Sequence, residues 1–434
     1  MRNALVLSAS ICALAGTLAA AGLAGAASAA PAGAPRADSV QGGIISTVAG
    51  GVGGPGRATS VAIGPCGARW AGGWLYIGDG STVRRVSMAT DALTTVAGDN
   101  AAGPLDGSGT AAASPLRACS TTLDGAGNLV IAAGGQVLLV AASTGTFYGQ
   151  AMTVGHTYAI VGTGGNRDDS PDGDGGPATS AVLSNADDVA FDQAGNLVLA
   201  DSGSPPGGSG DCPVGSLVRV VAAATGTFYG QNMTAGDIYT VAGVQDAGCD
   251  LGAGSAGGPA ATAWLTAEIG SVRPDRDGNL ILTEIGGDNP YLPPIPPSVQ
   301  VIAEMTGTFY GVKMTAGHIY RVAGNGQIGS GGDGGPATRA PLDFAGGAVA
   351  GASGNLVIAD NSRVRVVAAR TGRFFGQAMT AGGIYEVAGG GATLGDGGPA
   401  TSALLGNVGA VAVSPAGSLL VADGSDNRLR AISP

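Results

Sequence analysis

The chain has 434 residues, 81 of them glycine, and only 4% are aromatic. Its hydrophobic share of 44% can fill a core, which excludes a polar disordered tract, and no Gly-X-Y period runs through it, which excludes collagen. The formal net charge is −11 and Lys313 is the only lysine, so no basic patch is at hand for phosphate backbones and a nucleic-acid partner is not expected.

The first stretch reads as an export signal. Arg2 supplies a short positive region, Ala4 to about Leu23 is apolar, and Ala27-Ser28-Ala29 fits a small-x-small cleavage pattern. This predicts a signal peptide over 1–30 and a flexible mature N-terminus over 31–42. It also predicts a secreted or envelope-associated protein with no membrane span once the signal is removed. The alternative is an apolar run retained as an anchor. Beyond Cys12 the chain keeps Cys66, Cys119, Cys212 and Cys249. Four cysteines in an exported chain suggest two disulfides. Three pairings are open, and Cys66–Cys119 with Cys212–Cys249 is favoured because it joins neighbouring repeats.

From residue 43 onward one unit recurs. Its hairpin start reads Gly73-Trp-Leu-Tyr-Ile-Gly-Asp79, Gly127-Asn-Leu-Val-Ile-Ala-Ala133, Gly195-Asn-Leu-Val-Leu-Ala-Asp201, Gly278-Asn-Leu-Ile-Leu-Thr-Glu284, Gly354-Asn-Leu-Val-Ile-Ala-Asp360 and Gly417-Ser-Leu-Leu-Val-Ala-Asp423. The alternation of apolar and other residues is that of half-buried strands. A short strand precedes each copy, such as Asp188–Asp192, and another follows, such as Leu217–Val221. A fourth closes the unit, as in Ile238-Tyr-Thr-Val-Ala-Gly243. Four short strands repeated six times predict an all-β fold, a six-bladed β-propeller over 43–434. The sixth copy ends at Pro434 after its third strand, while Ile44–Gly50 is a fourth strand with no hairpin before it. The N-terminal strand should therefore complete the last blade and remove an exposed edge.

These repeats resemble the NHL-repeat family of secreted bacterial six-bladed propellers, including the NHL region of teneurins. The resemblance rests on Gly-Asn-Leu-Val-Ile-Ala-Asp with a following Arg-Val-Arg, on the Val-Ala-Gly strand ends and on Gly-Asp-Gly-Gly-Pro-Ala-Thr, across about residues 40–434. It implies a fold rather than an activity. Amidating lyases among such propellers hold zinc with several histidines. This chain has His156 and His318 alone, at one repeat position on separate blades, and cannot supply three.

Three near-identical inserts, Thr144–Thr153, Thr225–Thr234 and Thr306–Thr315, and a looser one, Thr371–Thr380, carry most of the phenylalanine. They should extend the outer hairpins. Their Phe-Tyr pairs either form an adhesive patch or pack beneath their own hairpins.

Chemistry is sparse. The second strand ends in Asp79, Asp201, Glu284, Asp360 and Asp423, with Ala133 breaking the series. A ring of five carboxylates offers oxygen ligands to Ca²⁺, the one cofactor the sequence suggests. The competing reading pairs each acid with an arginine of the third strand: Arg84 or Arg85, Arg219, Arg363 and Arg428. Glu284 lacks such an arginine and is the more open position. The blade-connecting loops contribute Asp172, Asp174, Asp333 and Asp396. Asp168 and Asp169 add to the first cluster, and the irregular fourth blade adds Tyr291 as a contact surface. Asp-Gly-Gly-Pro is also an ordinary turn sequence. The expectation is a non-enzymatic binding scaffold for an extracellular protein or glycan. The alternative is a calcium-dependent hydrolase or lyase with an axial carboxylate site.

Overall fold

The computed structural model describes residues 43–50, 57–98, 109–113, 116, 118–165, 172–203, 214–245, 257–265, 268–286 and 295–434. The expected signal peptide, the 31–42 segment, Cys212, Cys249, Asp168, Asp169 and Tyr291 lie outside the described residues.

Each repeat folds into a four-stranded antiparallel sheet with strands in chain order from the axis outward. Blade three is representative: Ala186–Phe191 is innermost, followed by Leu197–Asp201, Leu217–Val221 and Ile238–Ala242. The six innermost strands are Gly67–Ala71, Thr121–Leu123, Ala186–Phe191, Ile269–Pro274, Ala345–Ala350 and Val408–Val413. Each packs against the next in a closed circuit around a central channel.

The ring closes as the termini predict. Ile45–Ala49 pairs antiparallel with Arg428–Ile432, with Ile45 opposite Ile432 and Ser46 opposite Ala431, and becomes the outermost strand of blade six. The N-terminal strand therefore supplies the partner that the last hairpin lacks, and no unpaired edge is left at the junction.

The core lies between blades. Val198, Val220 and Val241 of blade three meet Ile269, Leu280 and Leu282 of blade four in one buried cluster, and a comparable cluster fills every other seam. A single sheet cannot hide both faces, so burial is earned only by stacking neighbours.

The repeat residues have local reasons. Asn128, Asn196, Asn279 and Asn355 are buried, and each side-chain oxygen accepts the backbone N–H that ends the third strand: Ala142, Ala223, Glu304 and Ala369. An unpaired buried amide would cost about 1–3 kcal/mol, so this cross-strand bond holds the four blades that carry the asparagine. The aromatic inserts form separate two-stranded ribbons, such as Gly226–Phe228 with Gln231–Met233. Their Tyr-Gly turns place Tyr148, Tyr229 and Tyr310 at positive φ, followed by glycine, the pattern of a tight two-residue hairpin. Met152, Met233, Met314 and Met379 anchor the ribbons in the core.

Cys66 and Cys119 are disulfide-bonded and stand one and two residues before the innermost strands of blades one and two.

Candidate functional site

The acids at the ends of the second strands stand on separate blades, each within its own network. Asp79 pairs with Arg84 at 2.8 Å, Asp201 with Arg219 at 3.7 Å, Asp360 with Arg365 at 3.3 Å and Asp423 with Arg430 at 3.6 Å. The last three pairs are fully buried. Two partners differ from those expected. Arg363 stands directly opposite Asp360 on the ladder but turns outward to Glu386 at 2.8 Å, and Arg428 donates to Thr47. The arginine two residues further along the third strand reaches the acid diagonally.

These arginines also gather the blade-connecting loops. Arg219 donates to Asp174 and to the carbonyls of Asp172 and Val182. Arg365 reaches Asp333 and the carbonyls of Gly331 and Pro341, and Arg430 reaches Asp396 and the carbonyls of Leu394 and Leu404. Asp172 accepts the Asp174 N–H at 3.1 Å in a local turn. Asp201 accepts the N–H groups of Ser184 and Asn185, and Asp360 those of Asp343 and Phe344. Burial still pushes the carboxyls of Asp360 and Asp423 up, the latter to about 6, outweighing the N–H donors and the guanidinium.

Glu284 is not the open position expected. It is buried and accepts from Ser298 at 2.7 Å and from the Gln300 amide. Gln300 occupies the place of the arginine in this blade. In blade two Ala133 and Leu138, both buried, replace acid and arginine together. Among the described residues no three His, Cys, Asp or Glu side chains form a group that would hold a metal ion. His156 and His318 sit just before the outermost strands of blades two and four.

The channel wall holds the groups that the repeat does not explain. Asp188 of blade three is buried and accepts from the Ser120 hydroxyl, the Val272 N–H and the Arg273 guanidinium. Arg273 also donates to the carbonyls of Val189 and Val272 at 3.0 and 3.1 Å. Ser271 accepts the Ala348 N–H at 3.1 Å. Arg69 of blade one lies within the fields of Arg273 and Asp188; burial and then the Arg273 charge pull its guanidinium down to about 10, against the opposing pull of Asp188.

At one mouth of the channel the innermost strands carry one-residue bulges at Asp187, Gly270, Gly346 and Gly409. A Cβ on Gly270 would lie 2.4 Å from the Gly346 oxygen, so blades four and five touch backbone to backbone there. Blade three has Asp187 at this bulge. Burial pushes its carboxyl up to about 7; a hydrogen bond from Ser202 opposes this, while the charges of Glu268, Asp201 and Asp188 add to it. Glu268, which leads into blade four, is raised by burial as well.

On the opposite face a groove of about 600 Å³ lies between blades two and three, lined by Phe147, Tyr148, Phe191, Asp124, Asp192 and Gln193. Its sibling at the next seam is covered. Tyr229 is only 5% exposed, its N–H donates to Glu304 of blade four at 2.9 Å and its hydroxyl to Asp192. At the equivalent place blade three has Ala223, too short to cover Tyr148, which stays 41% exposed with its hydroxyl 3.3 Å from Asp124.

The repeated inserts do not tell which of their tyrosines is exposed, and what the copies share does not point to Asp188, Arg273, Arg69 or Asp187. Their signal is departure from the repeat: charged residues in innermost strands that elsewhere read Gly-Gly-Ala-Val or Gly-Ala-Val-Ala.

No family model matches the chain, and no curated protein does. Among solved structures, an auxiliary nutrient binding protein from Bacteroides ovatus is similar at 13% identity and TM-score 0.54, over 90% of this chain and 76% of that one. An auxiliary nutrient binding protein from Bacteroides thetaiotaomicron is similar at 11% identity and TM-score 0.54, again over 90% and 76%. At these identities the likeness is one of fold, and the fold it supports is the six-bladed propeller.

Proposed function

We propose that this chain is an exported, non-enzymatic binding scaffold that takes a glycan in the groove between blades two and three. One observation carries the reading: where the ribbon of blade three is covered by Glu304, the ribbon of blade two leaves Tyr148 exposed beside Phe147, Phe191 and Gln193. An aromatic face flanked by polar groups suits a sugar ring, whose C–H bonds stack on the ring while its hydroxyls find hydrogen bonds at the rim. The descriptions of the two Bacteroides neighbours as nutrient binding proteins are in keeping with a ligand of this kind. The NHL-like motifs and the export signal are part of the same reading: a repeat scaffold placed outside the cytoplasm, where glycans and an oxidised disulfide are at home. The experiment is a glycan array probed with the mature chain and with Tyr148→Ala. Selective binding by the wild type, lost in the variant at unchanged melting temperature, is expected; binding that survives Tyr148→Ala overturns the assignment of the groove.

A second reading rests on Asp187. A carboxyl held near neutrality beside Glu268 at a channel mouth is suited to proton transfer, the requirement of the hydrolase or lyase alternative. Turnover of an ester, lactone or glycoside that disappears in Asp187→Asn would favour it over simple binding.

A further inference from the structure

The channel carries its own ligand chemistry, apart from the groove. Arg69 is paired on its ladder with Tyr76, and Arg273 with Ile281. Tyr76 and Ile281 are the fourth residues of the same repeat motif, Gly73-Trp-Leu-Tyr76 and Gly278-Asn-Leu-Ile281. The two arginines therefore occupy one rung of the ring. Blades one and four are three steps apart in a circuit of six, so they face each other across the axis. The other residues of that rung are Thr122, Ala190, Val349 and Ala412, which are short or uncharged.

The two guanidinium groups are not equivalent. Arg273 is fixed by Asp188 and by two carbonyls. Among the described residues, neither a hydrogen bond nor an ion pair engages the guanidinium of Arg69. Blade one packs on blades two and six, not on three or four, so the charges that act on Arg69, those of Arg273 and Asp188, act across the channel. The two arginines and the one carboxylate bound to Arg273 sum to a formal charge of +1, inside a chain whose net charge is −11. A guanidinium offers five N–H donors in a planar fork, and confinement opposite a like charge is costly without a counter-charge. An oxyanion seated between the arginines would accept from Arg69, neutralise the rung and leave the Asp188–Arg273 bonds in place.

We propose that the axial channel is a binding site for a small oxyanion, the carboxylate or phosphate group of a small molecule, held by Arg69 against an Arg273 already positioned by Asp188. The rim would read the rest of that molecule: Asp187 and Glu268 stand at one mouth, where a protonated carboxyl can donate to a hydroxyl and an ionised one can accept.

The test uses the full mature chain. Melting temperature and calorimetric binding are followed with inorganic phosphate and, separately, with acetate, each against chloride at matched ionic strength. The proteins are wild type, Arg69→Gln and Arg276→Gln, the last removing an exposed arginine outside the channel. Saturable stabilisation of the wild type by one of the anions is expected, since a ligand of the native state raises the melting temperature. Arg69→Gln should weaken the binding by roughly tenfold or more, as loss of a charge-assisted donor does. Arg276→Gln should bind as the wild type. Stronger binding of phosphate assigns the site to phosphorylated ligands, and stronger binding of acetate to carboxylates. Anion binding that is equal in Arg69→Gln, or no binding beyond the chloride control, overturns the proposal. Because Arg69→Gln leaves Tyr148 untouched, failure here does not touch the groove, and failure of the groove does not touch this site.

Discussion

The two halves of the ring hold their blades together differently. From blade two to blade five, a side chain on the innermost strand reaches the backbone of the next blade: Ser120 accepts from Val189, Asp188 from Val272 and Ser271 from Ala348. At the same rung blades five, six and one have Gly347, Ala410 and Gly67, and there the strands approach without side chains between them. The Asp188–Arg273 pair of the channel wall lies on the stapled side, and Arg69 stands on the other.

Four experiments break or sharpen this comparison. The largest effect is expected from the buried ion pairs. Removing Arg219 alone by Arg219→Leu strands the carboxylate of Asp201 and should cost about 3–5 kcal/mol in denaturant unfolding. Combined with Asp201→Ala, it recreates the Ala133–Leu138 pair of blade two, and most of that loss should return. A double variant as unstable as the single one would show that the blade needs the charge itself. Opening the Cys66–Cys119 bridge, which ties the bare side at blades one and two, should cost about 2–4 kcal/mol, read as a lower midpoint in reducing buffer.

The next effect compares the two kinds of seam directly. At the bare seam between blades five and six, Gly346→Ala drives a methyl against the Gly409 oxygen and should destabilise by about 1–3 kcal/mol, whereas at the stapled seam between blades four and five Ser271→Ala should cost about 1 kcal/mol for its lost bond to Ala348. Equal costs would mean that the seams do not differ in kind.

The last is a pH effect at Asp187, seen only as a change of slope. Its folded carboxyl titrates near 7, above the usual carboxylate value, so the folded state holds this proton more tightly than the unfolded chain does. Stability from this group is full below the unfolded value near pH 4 and is lost as pH rises through about 7. Asp187→Asn should remove that slope and stabilise the protein at pH 8 by an amount on the order of 2 kcal/mol, seen by comparing melting curves at pH 5 and pH 8. A slope unchanged in the variant would place the titration elsewhere.

Much of the fold was legible in the chain, because the information repeats. Copies of Gly-Asn-Leu-Val-Ile-Ala-Asp announce the hairpin, and a strand extra at one end and missing at the other announces the closure seen between Ile45–Ala49 and Arg428–Ile432. The same regularity hid the candidate sites. Asp201, Asp360 and Asp423 stood out as a series, yet a residue that recurs from copy to copy serves the copy, and each is bound to an arginine and to loop N–H groups. Tyr148 and Tyr229 read identically in their inserts. The next blade separates them: Tyr229 meets Glu304 and is buried, while Tyr148 faces a blade with Ala223 at that position and stays exposed.

The sequence by itself determined the blade, its number and the way the ring closes, since strand periodicity, turn residues and strand count are local properties that each repeat restates. The tertiary structure alone decided which single residues meet at the axis. Arg69 and Arg273 are 204 positions apart in the numbering, and they share a rung because closing six blades sets the first opposite the fourth. Contacts of that kind depend on the rotation between blades and on which side chains are short enough to leave a gap, and no segment of the chain carries that information alone.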